Sequence, residues 1–326
     1  MTRMLTGERP TGPLLLGHLF GTVANRVRLQ QSGVETFLVL ADYQVITDRE
    51  VVGDVASNVH EIVLDYLAAG IDPYVNATTI FTHSAVPALH QLMLPFLSLV
   101  SVAELERNPT VKQELADSGR SMSGLLLTYP VHQAADILFC HADVVPVGRD
   151  QLPHLELTRT IARRFTQRYG PCFREPEALL SEAPVVLGTD GRKMSKSRGN
   201  AIELRATPDE TVRAIRAAKT DTDRTITYDP AARPEIANLL LLASLCTGVT
   251  PEAIADEVGS RGAGHLKALV ADALVDHLAP LRTRRALFAA EPGLVADILA
   301  HGNAHANELA DATIRDVREL MGMVYA

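Results

Sequence analysis

Short apolar runs alternate with amphipathic stretches along the first two hundred residues of the chain. Two runs, 36–42 (TFLVLAD) and 143–148 (DVVPVG), are apolar over most of their length, which is typical of buried strands. Apolar residues at helical spacing predict helices over 15–33, 48–72 and 150–165. Strands that alternate with helices favour a parallel sheet, whose ligands bind beyond the carboxyl ends of the strands.

The pattern changes after about residue 205. Helical periodicity predicts helices over 207–223, 233–248, 251–262 and 264–290, and no segment there has a convincing strand pattern. The fold class is therefore predicted to be α/β, a Rossmann-like parallel sheet with an all-helical second domain. We expect a Rossmann catalytic domain over 1–205, a helical domain over 206–295, and packing of residues 296–326 back onto the first domain.

The longest apolar stretch, 85–103, is interrupted by two prolines, by His90 and by Gln91. We interpret it as a buried or interface helix that Pro87 begins and Pro95 kinks, rather than as a membrane span.

Composition narrows the class of protein. The chain has 326 residues, 47% of them hydrophobic, and a net charge of −8, which argues against general coating of nucleic acid but allows one local basic surface. Cys140, Cys172 and Cys246 form no CxxC pair, so they are expected to be small buried hydrophobic residues. The first ten residues lack the apolar core of a signal peptide, so a cytoplasmic location is expected.

Two segments carry candidate chemistry. Segment 7–21 (GERPTGPLLLGHLFG) breaks the chain with proline and glycine and then opens a helix, whose free N–H groups suit an anion. Segment 191–201 (GRKMSKSRGNA) places two lysines between glycines, which suits a polyphosphate whose charge grows during reaction. Each segment alone could be an ordinary loop, but the two together are specific.

Together these segments resemble the two signatures of class I aminoacyl-tRNA synthetases, because KMSKS occurs at 193–197 and LLGH at 15–18 stands in place of HIGH. The chain is most similar to the bacterial tryptophanyl-tRNA synthetase family, through PTGPLLLGHLFG at 10–21 and through the long segment 127–165, LTYPVHQAADILFCHADVVPVGRDQLPHLELTRTIARRF. ELERN at 104–108 and ANLLLLAS at 237–244 fit as well.

The resemblance implies a two-step reaction. The carboxylate of L-tryptophan attacks the α-phosphorus of ATP, which gives tryptophanyl-adenylate and pyrophosphate, and the amino acid then passes to tRNA(Trp). It implies an ATP site made of Arg9, Pro10, Thr11, Gly17, His18, Gly148, Arg149, Asp150, Lys193, Met194, Ser195, Lys196 and Ser197. Catalytic roles are implied for Lys193, Lys196 and His18, and more weakly for Lys112. No carboxylate cage for a resident metal is visible, so Mg²⁺ is expected to arrive with ATP.

The resemblance also implies a tryptophan pocket. Asp136 would accept a hydrogen bond from the indole N–H and thereby reject phenylalanine, which would leave the carboxylate unpaired. The other residues assigned to the pocket are Tyr129, Gln151, Gln133, Gln44 and Leu5. Asp136 could instead be a helix acid held by a salt bridge, and Arg213, Arg216, Lys219 and Arg224 are expected either to meet tRNA or to form a solvated helix face.

Five positions depart from the family pattern and indicate a divergent lineage. Leu15 replaces the first signature residue and cannot donate a hydrogen bond, and Arg149 reverses the charge expected beside adenosine. The remaining three departures are Arg9, Gln44 and Gln133.

Alternatives remain open at this point. A tyrosyl-tRNA synthetase shares the fold and KMSKS, and a non-charging paralogue that senses tryptophan or tRNA would tolerate Leu15 and Arg149. A nucleotidyltransferase that makes a different adenylate would need only the ATP parts. The resemblance further implies a homodimer, for which 85–103 is the candidate interface, and no membrane or DNA partner.

Overall fold

A computed structural model describes residues 2–47, 53–75, 77–118, 121–148, 151–180, 185–195 and 198–325. Five strands form one sheet in the order β3-β2-β1-β4-β5, and all neighbouring strands are parallel. The strands are β1 Arg3–Glu8, β2 Glu35–Leu40, β3 Thr78–Thr82, β4 Val144–Val147 and β5 Glu177–Leu180. The predicted parallel α/β sheet is confirmed. Its order reverses between β1 and β4, so a crevice for a ligand is expected there.

Helices follow and connect the strands. In the first two hundred residues they are α1 Leu16–His18, a π-helical turn Leu19–Val23, α2 Ala24–Gln31, α3 Val55–Ala69, α4 Pro87–Leu97, α5 Val102–Arg107, α6 Pro109–Ser118, α7 Gly124–Phe139 and α8 Leu152–Tyr169. The later helices are α9 Pro208–Ala217, α10 Pro234–Thr247, α11 Pro251–Val258, α12 Ala263–Ala289 and α13 Leu294–Leu320. Among the described residues, short 3₁₀ turns include Asp42–Ile46, His83–Ala85 and Gly259–Arg261.

Helix α3 shows how local sequence sets the helix ends. The Asp54 side chain accepts a hydrogen bond from the Ser57 N–H, which satisfies one of the N–H groups at the start of the helix. Gly70 ends the helix in the left-handed conformation, with φ 107°. The predicted helix over 48–72 therefore begins later than expected, and residues 48–52 lie outside the described residues.

The prediction of one kinked helix over 85–103 is wrong in its extent. Helix α4 begins at Pro87 and contains Pro95, as expected, but it ends at Leu97. A second helix, α5, then begins because Ser101 and Glu104 form a reciprocal capping box. Leu94 of this segment is 73% exposed, so α4 is not buried on every face within one chain, and its use as an interface stays a prediction.

The C-terminal helices pack against the sheet layer. Helix α12 lies against α3, and one hydrophobic core cluster runs from Leu14 and Ile62 through Leu240 to Leu274. Arg285 of α12 strengthens this contact through an ion pair with Asp65 of α3, with 2.7 Å between Nε and Oδ1. The helices after residue 205 therefore share their core with the helical layer of the sheet.

Helix α13 lies directly on β3. A Cβ atom added at Gly302 would come within 1.9 Å of the Ile80 carbonyl oxygen, so only glycine permits this approach. Nearby, the Asn303 side chain accepts from the Thr82 N–H (3.0 Å) and the Thr313 hydroxyl donates to the Phe139 carbonyl oxygen (2.7 Å).

The structure bears on two predictions, one about membrane spans and one about the burial of the cysteines. Among the described residues, no single helix is long and apolar enough to cross a membrane. The helices Pro234–Thr247 and Pro251–Arg261 have the required length and apolar character only when taken together, and they are bent by 111° relative to each other. Cys140 is buried as expected, but Cys172 and Cys246 are only partly buried, because one lies in the loop after α8 and the other in the last turn of α10.

Candidate active site

A cavity of about 320 Å³ opens where β1 and β4 end, at the point where the strand order reverses. The structure brings all six residues assigned to the amino-acid pocket to its lining, namely Leu5, Gln44, Tyr129, Gln133, Asp136 and Gln151. It also brings there three residues assigned to the nucleotide, namely Arg9, His18 and Gly148. The sequence-based assignment and the switch-point rule therefore select the same cavity.

The first helix presents His18 to this cavity. Its Nδ1 atom accepts a hydrogen bond from the Leu15 N–H at 2.9 Å. Because Nδ1 is an acceptor, the neutral imidazole carries its proton on Nε2. An Nε2–H donor in the cavity wall suits a phosphate or ribose oxygen.

The two signature segments adjoin in space. A Cβ atom added at Gly17 would lie 3.9 Å from the Met194 sulfur. The chain that leaves the lysine loop is held against the first segment, since the Leu16 N–H donates to the Ile202 carbonyl (3.0 Å) and the Leu204 N–H to the Leu14 carbonyl (3.0 Å). A loop that is distant in sequence thus lies beside the helix that opens the cavity.

Asn200 organises the lysine loop and was not singled out by the sequence. Its side chain is 2% exposed. The amide oxygen accepts from the Ser195 N–H (2.8 Å), while the amide nitrogen donates to the Asp190 carboxylate (2.6 Å) and to the Lys193 carbonyl (3.2 Å). One amide therefore sets the backbone of residues 190–195.

Asn200→Ala removes these three bonds. It is expected to lower kcat about 10- to 100-fold for the adenylate formation that the family resemblance implies, because small misplacements of catalytic groups are costly. The measurement is ATP–pyrophosphate exchange at saturating substrates, with the melting temperature recorded beside it. Asn58→Ala on α3 is the matched control. A variant with normal kcat would show that the loop geometry does not depend on Asn200.

Seven other described residues assigned to the nucleotide site or to catalysis do not line the cavity, namely Pro10, Thr11, Gly17, Lys112, Lys193, Met194 and Ser195. Lys112 and Lys193 are exposed. Four assigned residues, Arg149, Asp150, Lys196 and Ser197, lie outside the described residues.

Tyr129 is positioned by a buried histidine. Its hydroxyl lies 2.8 Å from His154 Nε2, and the Asn108 side-chain nitrogen lies 3.4 Å from His154 Nδ1. His154 is 1% exposed and lies in segment 127–165, which carries the family resemblance, but the sequence analysis assigned it no role.

Asp136 is 2% exposed and lies among histidines. Its Oδ1 atom is 2.9 Å from Nε2 of His83, the residue that follows β3. Burial acts to raise the pKa of Asp136, but electrostatic interactions with His83, His132 and His90 bring the pKa below its usual value. The carboxylate is therefore ionised at neutral pH, the form that accepts most strongly from an N–H donor.

Arg26 forms part of the cavity wall beneath β1 and was also missed by the sequence analysis. It is 3% exposed and pairs with Glu8 at 3.0 Å. It also donates to the Tyr66 hydroxyl (2.9 Å) and to the Thr6 hydroxyl (3.1 Å). A helical arginine has no sequence signal that distinguishes this buried role from a solvated one.

The fold and the cavity define an α/β protein whose candidate ligand site, lined by Arg9, His18 and the buried carboxylate of Asp136, lies at the switch point of a doubly wound sheet.

Comparison with known proteins then identifies the family. The family profile described as tRNA synthetases class I (W and Y) matches residues 1–279. Similar relatives include the tryptophan–tRNA ligases of Treponema pallidum (40% identity, 99% of this chain and 97% of the relative) and of Thermotoga maritima (39%, 99% and 100%). A similar solved structure is tryptophanyl-tRNA synthetase from Campylobacter jejuni complexed with ADP and tryptophan, with TM-score 0.85, 28% identity, and coverage of 98% of this chain and 100% of that one. The chain belongs to the class I tRNA synthetases of the tryptophan and tyrosine family.

Proposed function

We propose that the chain is a tryptophan–tRNA ligase, which activates L-tryptophan with ATP and transfers it to tRNA(Trp). The observation that carries the proposal is one cavity whose wall contains both the buried carboxylate of Asp136 and the helix-opening residue His18. The names of the relatives from Treponema pallidum and Thermotoga maritima support the choice of amino acid.

The cavity residues suggest a division of labour. Asp136 accepts from the indole N–H, while Tyr129 and Gln151 hold the ammonium and carboxylate groups of tryptophan. The substrate carboxylate oxygen attacks the α-phosphorus of ATP, a P–O bond forms, and the bond to pyrophosphate breaks. Positioning and charge neutralisation supply most of the rate in such displacements. We assign these tasks to His18 and to Lys193 with the rest of its loop.

Mg²⁺ fits this scheme as a companion of ATP. Two acids of the cavity wall are separately engaged, because Glu8 pairs with Arg26, and Glu114 lies 3.8 Å from Arg9. Among the described residues, these two glutamates do not belong to a group of oxygen ligands for a resident metal. When bound to the triphosphate, Mg²⁺ supplies charge neutralisation.

The proposed tRNA substrate and the proposed second subunit would bind to surfaces outside the cavity. Arg213, Arg216, Lys219 and Arg224 are all exposed, which supports contact with the tRNA backbone. For the subunit partner, the large apolar side chain of Leu94 on α4 is 73% exposed, which supports a homodimer through α4. A cytoplasmic location follows from the proposed reaction, since tRNA charging occurs there.

ATP–pyrophosphate exchange with tryptophan, tyrosine and phenylalanine side by side tests the proposal. We expect kcat/KM for tryptophan to exceed that for phenylalanine at least about 10⁴-fold, because a buried acceptor left unpaired is costly. Exchange that favours tyrosine would establish a tyrosyl enzyme instead. Binding of tryptophan without exchange, and without charging of tRNA(Trp), would establish a non-charging sensor.

A further inference from the structure

Asp136 of the cavity wall forms a cluster with His83 and His132, and all three side chains are of types that can ligate a metal. They are 2%, 0% and 4% exposed, respectively. His132 and Asp136 are four residues apart on α7, so they share one face of that helix, and His83 follows β3. One potential ligand atom from each residue lies within 4.8 Å of the other two.

The cluster is not satisfied by its own contacts. His83 Nε2 lies 2.9 Å from Asp136 Oδ1, yet the two atoms are not aligned as a hydrogen bond. Among the residues that the structure describes, Nδ1 and Nε2 of His83 and Oδ1 of Asp136 are buried without a hydrogen-bond partner. Each buried polar atom left in this way costs about 1–3 kcal/mol, so the cluster favours an additional bound group.

A fourth histidine fixes the protons of the cluster. His90 Nε2 lies 3.1 Å from the His83 carbonyl oxygen, which can only accept, so Nε2 carries the proton of neutral His90. His90 Nδ1 is then an acceptor, and His132 Nε2, 3.0 Å away, must donate to it. This arrangement leaves the lone pair of His132 on Nδ1. An outer partner that fixes the tautomer in this way is typical of metal-binding histidines.

We propose that His83, His132 and Asp136 form a binding site for a divalent transition-metal ion of the zinc class. Two imidazoles and one carboxylate match the zinc sites that have three protein ligands and leave the fourth position to water or substrate. Nitrogen donors disfavour Mg²⁺ and Ca²⁺, which take oxygen ligands. The site shares Asp136 with the amino-acid pocket, but the inference does not rest on the proposed function, because metal alone is its probe.

The test uses the full-length protein, stripped with a chelator and kept free of tryptophan. Co²⁺ is titrated while its visible absorption is recorded, and Zn²⁺ affinity is measured by competition with a chromophoric chelator. We expect about one equivalent of either ion to bind. We expect His83→Gln and His132→Leu to weaken Zn²⁺ binding at least about 100-fold, and His90→Gln about 10-fold, as for an outer partner.

His301→Gln, at an exposed position on α13, is the matched control and should bind both ions as the unchanged protein does. Melting temperatures show which variants are folded, and two independent ligand variants keep the test decisive if one of them fails to fold. Absence of Co²⁺ and Zn²⁺ binding in the unchanged protein overturns the proposal, as does full binding by a folded His83 or His132 variant. Pyrophosphate exchange is measured separately, so its absence refutes the proposed function alone.

Discussion

Asp136→Asn is expected to lower kcat/KM for tryptophan in pyrophosphate exchange at least about 100-fold, which corresponds to about 3 kcal/mol for a hydrogen bond to a charged group. The carboxylate is 2% exposed and is held ionised among His83, His132 and His90. Asparagine keeps the size of the side chain but replaces the charged acceptor with a neutral amide, which can also turn its NH₂ group toward the indole. The loss should appear in kcat/KM for tryptophan, while the KM for ATP stays within about threefold, because the substitution lies in the amino-acid part of the cavity.

Asp311→Asn, at an exposed position on α13, is the matched control and should leave both parameters unchanged. Circular dichroism and melting temperature verify that the Asp136 variant is folded. If the folded variant keeps kcat/KM for tryptophan within threefold, Asp136 does not bind the indole, and its role is confined to the histidine cluster.

Arg285→Met is expected to destabilise the protein by about 3–5 kcal/mol, since removal of one partner leaves a buried charge unpaired. Arg285 bonds to Asp65 at 2.7 Å and also pairs with Glu61, and Asp65 is 0% exposed. Asp65 in turn accepts from the Leu14 N–H at 3.1 Å, so the ion pair joins α12 and α3 to the segment that opens the first helix.

The effect should depend on pH with a defined sign. Burial raises the pKa of Asp65 against the opposing effects of Arg285 and the Leu14 N–H, and loss of Arg285 raises it further. A carboxyl whose folded pKa exceeds its unfolded pKa costs stability as the pH rises between the two values. The destabilisation should therefore be larger at pH 8 than at pH 5.

Urea unfolding at both pH values measures this prediction. Arg213→Met, at an exposed position on α9, is the matched control and should change the free energy of unfolding by less than about 0.5 kcal/mol. The double variant Asp65→Asn/Arg285→Met should recover part of the loss, because it removes the uncompensated charge. A single variant as stable as the unchanged protein would show that α12 is held by its apolar contacts alone.

Helices and strands with a strong periodic pattern were predicted well, whereas short elements were missed. Helix α12 and strand β2 are close to their predicted ranges, because each has a continuous pattern that matches one period. Strand β5 (EALL) has only four residues and β3 (TTIFT) is rich in threonine, so neither has a distinctive pattern. The break between α4 and α5 depends on the Ser101–Glu104 capping box, which stands within an apolar run and was missed.

The residues of the candidate site were likewise predicted only in part. Residues within the motifs that carry the family resemblance, such as Tyr129 and Asp136, come to the predicted cavity. His83 and His154, which contact Asp136 and Tyr129, could not be found from one sequence, because they act through contacts between distant segments. Only tertiary packing distinguishes such a buried polar side chain from an ordinary core or loop residue.

Gln44 and Gln133, two departures from the family pattern, both line the cavity. They place side-chain amides in the wall that holds the buried carboxylate. The family pattern has other residue types at these positions, so we expect tryptophan analogues with altered rings to bind this chain and its relatives differently.

The close packing of α13 on β3 has a consequence for biosynthesis. During translation β3 emerges from the ribosome more than two hundred residues before its covering helix, as Ile80 and Gly302 show. Until then the face of that strand must be shielded by a chaperone or by transient contacts. Nascent chains that stop before residue 294 would leave this face of β3 exposed and become substrates for proteolytic quality control.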